Sequence, residues 1–535
     1  MCPVRNVLYW LALLPGIAFA ETSLHEQIDA LIDAKAKDLP RAEIADDAEF
    51  FRRVNLDFAG VIPSAEQTLA FLADQTPEKR EQAIDALLAG PRYAQTMRER
   101  FHIHIMERRG DSEHWLTWLE KSFEANKPWD HMAREIVRAD FRDEPNRGAA
   151  FFYSKRLEKY GTNPIDYPGV TRDVGRMFLG VDLQCAQCHD HLIIDDYKQQ
   201  DFQGIFSAIS KLQLLRDAEY PGVEEQLMTA KQEFASVFDG EPHEVGPKLP
   251  GLDEVDLATF DKGEEYQQSP DRKTKTPGVP KFSPLDEFSK QIANAPPFAS
   301  NIVNRVWFLM MGRGLVMPMD NFHSQNPASH PALLDLLATE FKSHGYDFKW
   351  LFREMALTET YQRSSRLPDG IDRVPGDRFV VAIERRLSAE QLLWSTLRAV
   401  GVKPDDAPLV NVDKKDDSEE FVGLKQRFVD ALGNDPKSPE REFSPSLKAA
   451  LFVMNDDEVL KLLRRDDALP AKLAVESDDA KVANSLFLNV FSRAASEADR
   501  SDVAKHLSGF KGRRAEGIAE ITWAMLAGTE FVVNH

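Results

Sequence analysis

Apolar side chains recur at every third or fourth position over most of the chain, a spacing typical of helices that bury one face. Between Thr76 and Gly90, Ile84, Leu87 and Leu88 form such an apolar face. Runs of alternating apolar and polar residues are scarce, so the predicted fold is mainly α with little or no sheet. The same spacing predicts further helices over Phe298 to Met311, Pro331 to Ser343, Phe348 to Leu357, Ala389 to Val400 and Gly517 to Leu526.

Proline and glycine indicate where helices begin and end. Thr76 and Pro77 predict a helix start, with Thr76 as the N-cap and Pro77 in the first turn. Gly90 ends this predicted helix, and Pro91 begins the next one.

Two polar stretches interrupt the helical spacing of apolar residues. Residues 223–284 are rich in Pro, Gly, Asp, Glu and Lys and predict a linker or insertion, and residues 413–444 predict a surface insertion or loop. A chain of 535 residues is too long for one ordinary core. We therefore predict a helical domain over 21–222 and a second helical domain over 285–535.

The first twenty residues have the pattern of a secretory signal peptide. Arg5 is their only charge, residues 7–17 are largely apolar, and Ala18 and Ala20 supply the small residues that a signal peptidase requires. We expect cleavage after Ala20 and a protein that is periplasmic or secreted. No later stretch is apolar enough to span a membrane.

The net charge narrows the class of partner. Lys and Arg number 66 and Asp and Glu number 87, which gives −21 at pH 7. An acidic surface repels the phosphate backbone, so nucleic acid is excluded as an expected partner. Solubility is the simplest role for this charge, and attraction of a basic protein is a second one.

The cysteines carry the main chemical signature. Cys2 lies in the predicted signal peptide, which leaves Cys185 and Cys188, followed directly by His189. This Cys-x-x-Cys-His spacing is typical of covalent haem c attachment, with both thiols bonded to the porphyrin and the histidine as the proximal iron ligand. It predicts a cytochrome-like protein that exchanges electrons with an unknown redox partner.

Three alternatives stay open at this point. The cysteines are also spaced for a redox disulfide, as in thioredoxin-like sites, or for a local disulfide in a structural protein of the cell envelope. His189, Asp190 and His191 are suitable zinc or iron ligands, which would indicate a non-haem metal enzyme, for example one acting on an extracellular polymer. The sequence does not decide whether the protein is an enzyme.

A six-coordinate haem needs a second axial ligand, usually His or Met. His330, in front of the predicted helix at Pro331, is a candidate ligand from the second domain, although an ordinary polar residue at a helix end is the simpler interpretation. The other candidates are His102, His104, Met106, Met177 and His323.

The segment FLGVDLQCAQCHDH at 178–191 resembles the core of the planctomycete cytochrome c-like domain of unknown function, the PSCyt type. NLDFAGVIP at 55–63 and NKPWD at 126–130 resemble two further stretches of that domain. The resemblance covers roughly residues 45–213 and 284–535 and implies an exported, largely helical protein with a cytochrome-like attachment site but no established reaction. Segments that resemble its usual C-terminal partner, the PSD-type domain, are 298–307, 312–316, 329–335, 360–365, 385–390 and 530–535.

Overall fold

The computed structural model describes residues 22–215, 218–238, 240–271, 273–274, 276–401, 418–438, 452 and 456–535. The predicted signal peptide at 1–20 lies outside these residues. The described part of the chain contains 23 α-helices and only four two-stranded sheets, so the prediction of a mainly α fold is confirmed. No described helix has the length and apolar character needed to cross a membrane.

The helices are numbered in chain order. They are α1 (Leu24–Lys35), α2 (Asp47–Phe58), α3 (Ala65–Ala73), α4 (Lys79–Ala89), α5 (Pro91–Met106), α6 (Glu113–Glu124), α7 (Trp129–Arg138), α8 (Phe151–Arg156), α9 (Tyr167–Val174), α10 (Gln199–Ile209), α11 (Pro284–Gln291), α12 (Phe298–Met311), α13 (Pro331–Ser343), α14 (Phe348–Leu357), α15 (Glu359–Gln362), α16 (Ala389–Ala399), α17 (Ser418–Leu432), α18 (Asp457–Leu463), α19 (Leu469–Leu473), α20 (Asp479–Phe491), α21 (Glu497–Ser508), α22 (Arg514–Leu526) and α23 (Thr529–Val532).

The strands form four antiparallel pairs: β1 with β2, β3 with β4, β5 with β6 and β7 with β8. Five of the eight strands lie wholly within the predicted linker at 223–284, so this segment holds ordered structure. The strands are β1 (Leu212–Leu214), β2 (Val223–Glu225), β3 (Gln232–Ala235), β4 (Pro242–Val245), β5 (Tyr266–Gln268), β6 (Val279–Pro280), β7 (Arg385–Arg386) and β8 (Val533–Asn534).

Local signals place most of the predicted helix boundaries correctly. Pro91 begins α5 directly after Gly90 ends α4. The helix start at Thr76 is wrong, because the Thr76 hydroxyl donates to Asp74 Oδ1 at 2.6 Å and helix α4 starts only at Lys79. The polar stretch at 413–444 also contains a helix, α17, and the rest of that stretch up to 417 and from 439 lies outside the described residues.

A first apolar core contains side chains from both predicted domains. Trp129 of α7 stacks on Phe178 and on Phe298 of α12, with ring centroids 6.2 and 6.1 Å apart. Phe348 of α14 lies 5.9 Å from the same indole. This core draws on residues from Leu24 to Phe379, so apolar packing continues across the predicted linker.

A second core lies mainly within the C-terminal part of the chain. Helices α16, α20 and α22 bury side chains such as Leu393, Leu486 and Ile518. Leu56 and Ile62, at and after the end of α2, belong to this core as well. Helix α2 therefore contacts both cores, and its buried polar residues lie where the two halves of the chain meet.

Candidate functional site

The Cys-x-x-Cys-His motif forms a single tight turn on the surface. Residues Cys185–Gln187 are a 3₁₀ helix, and the Cys188 N–H donates to the Cys185 carbonyl at 3.4 Å. Ala186 points inward and is buried, whereas both cysteine side chains are exposed free thiols. The turn therefore exposes the two cysteines to solvent and buries Ala186, one of the two residues between them.

A break in the helix before the motif sets the direction of the chain. Helix α9 continues as a π-helix over Gly175–Leu179 and ends at Gly180, whose φ is +67°. A Cβ on Gly180 would lie 2.7 Å from Phe322 and 2.8 Å from Asn301 Oδ1, so only glycine fits there. Single π turns of this kind are frequent at functional sites.

The imidazole of His189 is held in one tautomer. Its Nδ1 lies 2.6 Å from the Asp190 carbonyl oxygen, which can only accept, so Nδ1 carries the proton. The Nε2 atom of the neutral ring then keeps a lone pair. Metal-binding histidines commonly donate the other ring N–H to a backbone carbonyl in this way.

His191 has the opposite arrangement. The backbone N–H groups of Ile193 and Ile194 donate to His191 Nδ1 at 3.2 and 3.0 Å, so the proton of the neutral ring lies on Nε2. This nitrogen is therefore a donor, unlike Nε2 of His189. The His191 side chain serves to close the loop after the motif.

The predicted zinc or iron cluster of His189, Asp190 and His191 is not assembled. Asp190 accepts a hydrogen bond from the backbone N–H of Gln199 at 2.9 Å, and its other oxygen lies 3.3 Å from Lys198 Nζ. Its carboxylate is thus directed to the start of α10. Among the described residues, no three His, Cys, Asp or Glu side chains are grouped so as to hold a metal ion.

Four exposed apolar side chains lie near the motif, two of them in the chain that follows it and two in a turn that contacts it. Leu192 and Ile193 follow it and are 73% and 71% exposed, while Val237 and Phe238 in the β3–β4 turn are each 67% exposed. The ring of Phe238 lies 4.7 Å from that of His189, and the Val237 N–H donates to the Cys188 carbonyl at 3.1 Å. We call these four residues the apolar collar.

Sequence reasoning missed the half of this collar that comes from the β3–β4 turn. Val237 and Phe238 lie about fifty residues after the motif, in a stretch predicted to be a linker. The only available signal was an apolar pair in a polar segment, which does not indicate where the pair packs.

His323 is the candidate second ligand that lies beside the motif loop. Its ring is 5.5 Å from that of Tyr197, and the Tyr197 ring is 6.1 Å from that of His191. Burial lowers the pKa of His323, and the nearby His191 lowers it further, against the opposing effect of Asp196. This arrangement favours a neutral His323.

The other candidate histidine ligands contact residues outside the motif. His102 accepts from Trp115 Nε1 at 3.0 Å, and His104 accepts from Arg305 at 2.6 Å. His330 is buried beside the ring of Phe379, 5.6 Å away, and burial lowers its pKa to about 4. No hydrogen bond or ring contact in the described part of the chain joins His330 to the motif.

These features define a class: a helical protein with a surface Cys-x-x-Cys-His turn that has exposed apolar side chains near it. The PSCyt2 family, described as a protein of unknown function (DUF1549), matches residues 27–213. The PSD1 family, also a protein of unknown function (DUF1553), matches residues 289–507. The two matches follow each other along the chain, PSCyt2 first and PSD1 second, as the resemblance of the sequence motifs predicts. No curated protein and no solved structure matches it.

Proposed function

We propose that this is an exported c-type cytochrome-like protein. One haem is attached covalently to Cys185 and Cys188, with His189 as its proximal ligand, and the protein exchanges electrons with a partner protein in the periplasm or outside the cell. Both matched families are of unknown function and imply no activity, so the proposal depends on the motif and its surroundings.

The tautomer of His189 is the observation that carries this proposal. A proximal ligand needs a ring nitrogen with a free lone pair, and the Nδ1–H bond to the Asp190 carbonyl leaves Nε2 in that state. His191, two residues later, does not meet this requirement because its Nδ1 accepts two backbone N–H groups. The local backbone therefore distinguishes the two histidines as the motif requires.

The thiols and the apolar collar also fit a porphyrin. Both thiols are exposed, so each is accessible for addition to a vinyl group, in which a carbon–sulfur bond forms and the thiol hydrogen moves to the neighbouring carbon. Contiguous exposed apolar side chains mark binding sites on soluble proteins. The collar supplies four exposed apolar side chains, and one of them, Phe238, lies next to His189.

The haem would supply reversible one-electron chemistry, and the protein residues would hold and orient it. Cys185 and Cys188 would retain the haem outside the cell, His189 would bind the iron, and Phe238 would cover one side of the imidazole. The motif is on the surface, which suits electron exchange with a docked partner. The net charge of −21 favours a basic surface on that partner.

Two matched histidine variants test the assignment of the proximal ligand. In protein from a host that attaches haem c, His189→Asn removes the proposed ligand, whereas His191→Asn keeps an acceptor oxygen near the position of Nδ1. We expect His189→Asn to shift the reduced visible spectrum and added imidazole to restore it, while His191→Asn retains the spectrum of the wild type. Equal effects of the two variants, or a colourless wild type that contains stoichiometric zinc or iron, would refute the proposal.

A further inference from the structure

Three side chains outside the Cys-x-x-Cys-His motif form a hydrogen-bonded chain between α1 and α14. Ser23 directly precedes α1, and its Oγ lies 2.9 Å from Nε2 of His25 in the first turn of that helix. The other ring nitrogen of His25, Nδ1, lies 2.9 Å from Oε2 of Glu354 on α14. A hydroxyl, an imidazole and a carboxylate joined in this order are the three members of a serine hydrolase triad, which is recognised by its geometry and not by its place in the sequence.

Glu354 fixes the orientation of the imidazole. Its side chain is buried, and its Oε2 accepts from the backbone N–H of His25 at 3.2 Å as well as from the ring. Because an ionised carboxylate can only accept, Nδ1 of His25 carries a proton. In the neutral ring, Nε2 therefore has a lone pair, and this lone pair is within hydrogen-bond distance of the Ser23 hydroxyl.

The Ser23 hydroxyl has two acceptors within reach. Its Oγ lies 2.8 Å from Oε2 of Glu26 as well as 2.9 Å from Nε2 of His25, and its single hydrogen serves one of them at a time. When His25 is protonated, its Nε2–H donates to Oγ and the hydroxyl donates to Glu26. When His25 is neutral, Nε2 accepts the hydroxyl hydrogen, which is the arrangement that a nucleophilic serine needs. The N-cap bond is compatible with both states, because there Oγ only accepts, from the Glu26 N–H at 3.4 Å.

The start of α1 supplies a donor for the negative charge that forms during attack on an ester. Leu24 follows Ser23 and is the first residue of α1, and its backbone N–H has no acceptor in the described part of the chain. In serine hydrolases the N–H of the residue after the nucleophile is a common oxyanion donor. Ser23 and His25 are half-buried rather than enclosed, which favours small acyl groups that reach Oγ from solvent.

We propose that Ser23, His25 and Glu354 form a second site, which hydrolyses small acyl esters such as O-acetyl groups. Ser23 is the nucleophile and His25 is the general base and acid. Glu354 does not touch the substrate and is a positioning residue, because it holds the ring of His25 in the required tautomer. The site uses no residue of the haem motif, so it stands independently of the proposed cytochrome-like function.

The reaction has two halves. In the first, Ser23 Oγ forms a bond to the acyl carbon while His25 Nε2 takes the hydroxyl proton, and the carbonyl oxygen becomes an oxyanion beside the Leu24 N–H. The bond to the leaving oxygen then breaks, and that oxygen leaves as an alcohol with the proton from His25. In the second half, water gives a proton to His25 and attacks the acyl carbon, and the carboxylic acid is released as Ser23 Oγ recovers its proton.

A fluorophosphonate probe and the ester p-nitrophenyl acetate test the nucleophile on the full protein. Peptide mass spectrometry should find the phosphonyl group on Ser23. Ser23→Asn keeps a preferred N-cap residue but has no hydroxyl, so it should hydrolyse the ester only at the background rate. Ser343→Ala is the matched control and should hydrolyse it like the wild type. Ser343 Oγ also lies near a histidine, 3.1 Å from His344 Nδ1, but that nitrogen donates to the Glu340 carbonyl at 2.9 Å and cannot take the hydroxyl proton.

Glu354→Gln tests the positioning role. Glutamine retains an acceptor oxygen but not the charge that stabilises a protonated His25, so kcat should fall at least about tenfold with little change in KM, in protein whose circular dichroism matches that of the wild type. A kcat equal to that of the wild type would overturn the role of Glu354. A folded wild type without the phosphonyl group on Ser23, or equal hydrolysis by the wild type and Ser23→Asn, would overturn the whole proposal.

Discussion

The substitution Asp57→Asn is expected to destabilise the whole protein strongly. Asp57 lies in α2, is completely buried and accepts five hydrogen bonds, three of them from Arg100 and Arg385. Asparagine keeps the size of the side chain but removes the negative charge and one acceptor oxygen. Two arginines would then be left near each other without their shared counterion.

The size of the effect follows from the burial. Removing one partner of a buried ion pair typically costs about 3 to 5 kcal/mol, because the remaining charge stays desolvated. Asp47, in the same helix, offers a matched control. Its carboxylate pairs with Lys79 and Arg80 but is 32% exposed, so Asp47→Asn should cost at most about 1 kcal/mol.

Urea unfolding of the three proteins, followed by circular dichroism, measures the difference in free energy. Burial opposes ionisation of Asp57, but Arg385 and Arg100 outweigh it and hold its pKa below the usual value. The stabilisation is therefore fully present above pH about 4 and is lost as the pH falls further. The difference in free energy of unfolding between the wild type and Asp57→Asn should therefore become smaller as the pH falls below about 4. A cost for Asp57→Asn no larger than that for Asp47→Asn would refute the reasoning.

Three further predictions concern other parts of the fold. Burial raises the pKa of Glu225 to about 7, so its contribution to stability falls as pH rises from about 4.5 to 7, by up to about 3 kcal/mol. Glu225→Gln should flatten this part of the stability–pH curve, and an unchanged slope would contradict the assignment. Trp129→Ala should cost about 3 to 5 kcal/mol in urea unfolding because Trp129 is buried between rings from both halves of the chain, and a cost below 1 kcal/mol would show that those contacts are not tight. Ser64→Ala should cost about 1 kcal/mol by removing the N-cap of α3, whereas Ser64→Gly should cost only a few tenths, and equal melting temperatures for wild type and Ser64→Ala would argue against the cap.

The helices could be predicted well because their signals are local. Phe298–Met311, Pro331–Ser343 and Phe348–Leu357 occur with the predicted ends. Each combines an apolar stripe with a terminal proline, glycine or capping aspartate, and these act within one turn. Thr76 shows the limit, since Asp74 competes for its hydroxyl and moves the helix start to Lys79.

Long-range packing could not be predicted in the same way. The linker prediction for 223–284 followed from composition, yet β3 and β4 form a hairpin whose turn places Phe238 against His189. Asp57 likewise finds Arg385 and Asn534 more than 300 residues away. Nothing in the spacing along the chain indicates such partners.

The candidate site was only partly predictable. The motif itself is visible in the sequence, and the exposed thiols agree with a site that is accessible to solvent. The motif alone predicts His189 as the proximal ligand, whereas the hydrogen bonds that distinguish its ring from that of His191 required the structure. A sequence alone does not specify a tautomer.

Intact mass together with a pyridine haemochrome spectrum tests the central claim most directly. The full chain would be produced in a bacterial host with cytochrome c maturation machinery, alongside the double variant Cys185→Ser, Cys188→Ser. The proposal predicts that the wild type gains the mass of one haem and shows a c-type spectrum, while the double variant has the mass of the bare polypeptide. A wild type of bare polypeptide mass with two alkylatable thiols or a disulfide, from a host that matures a known cytochrome c in parallel, would contradict it.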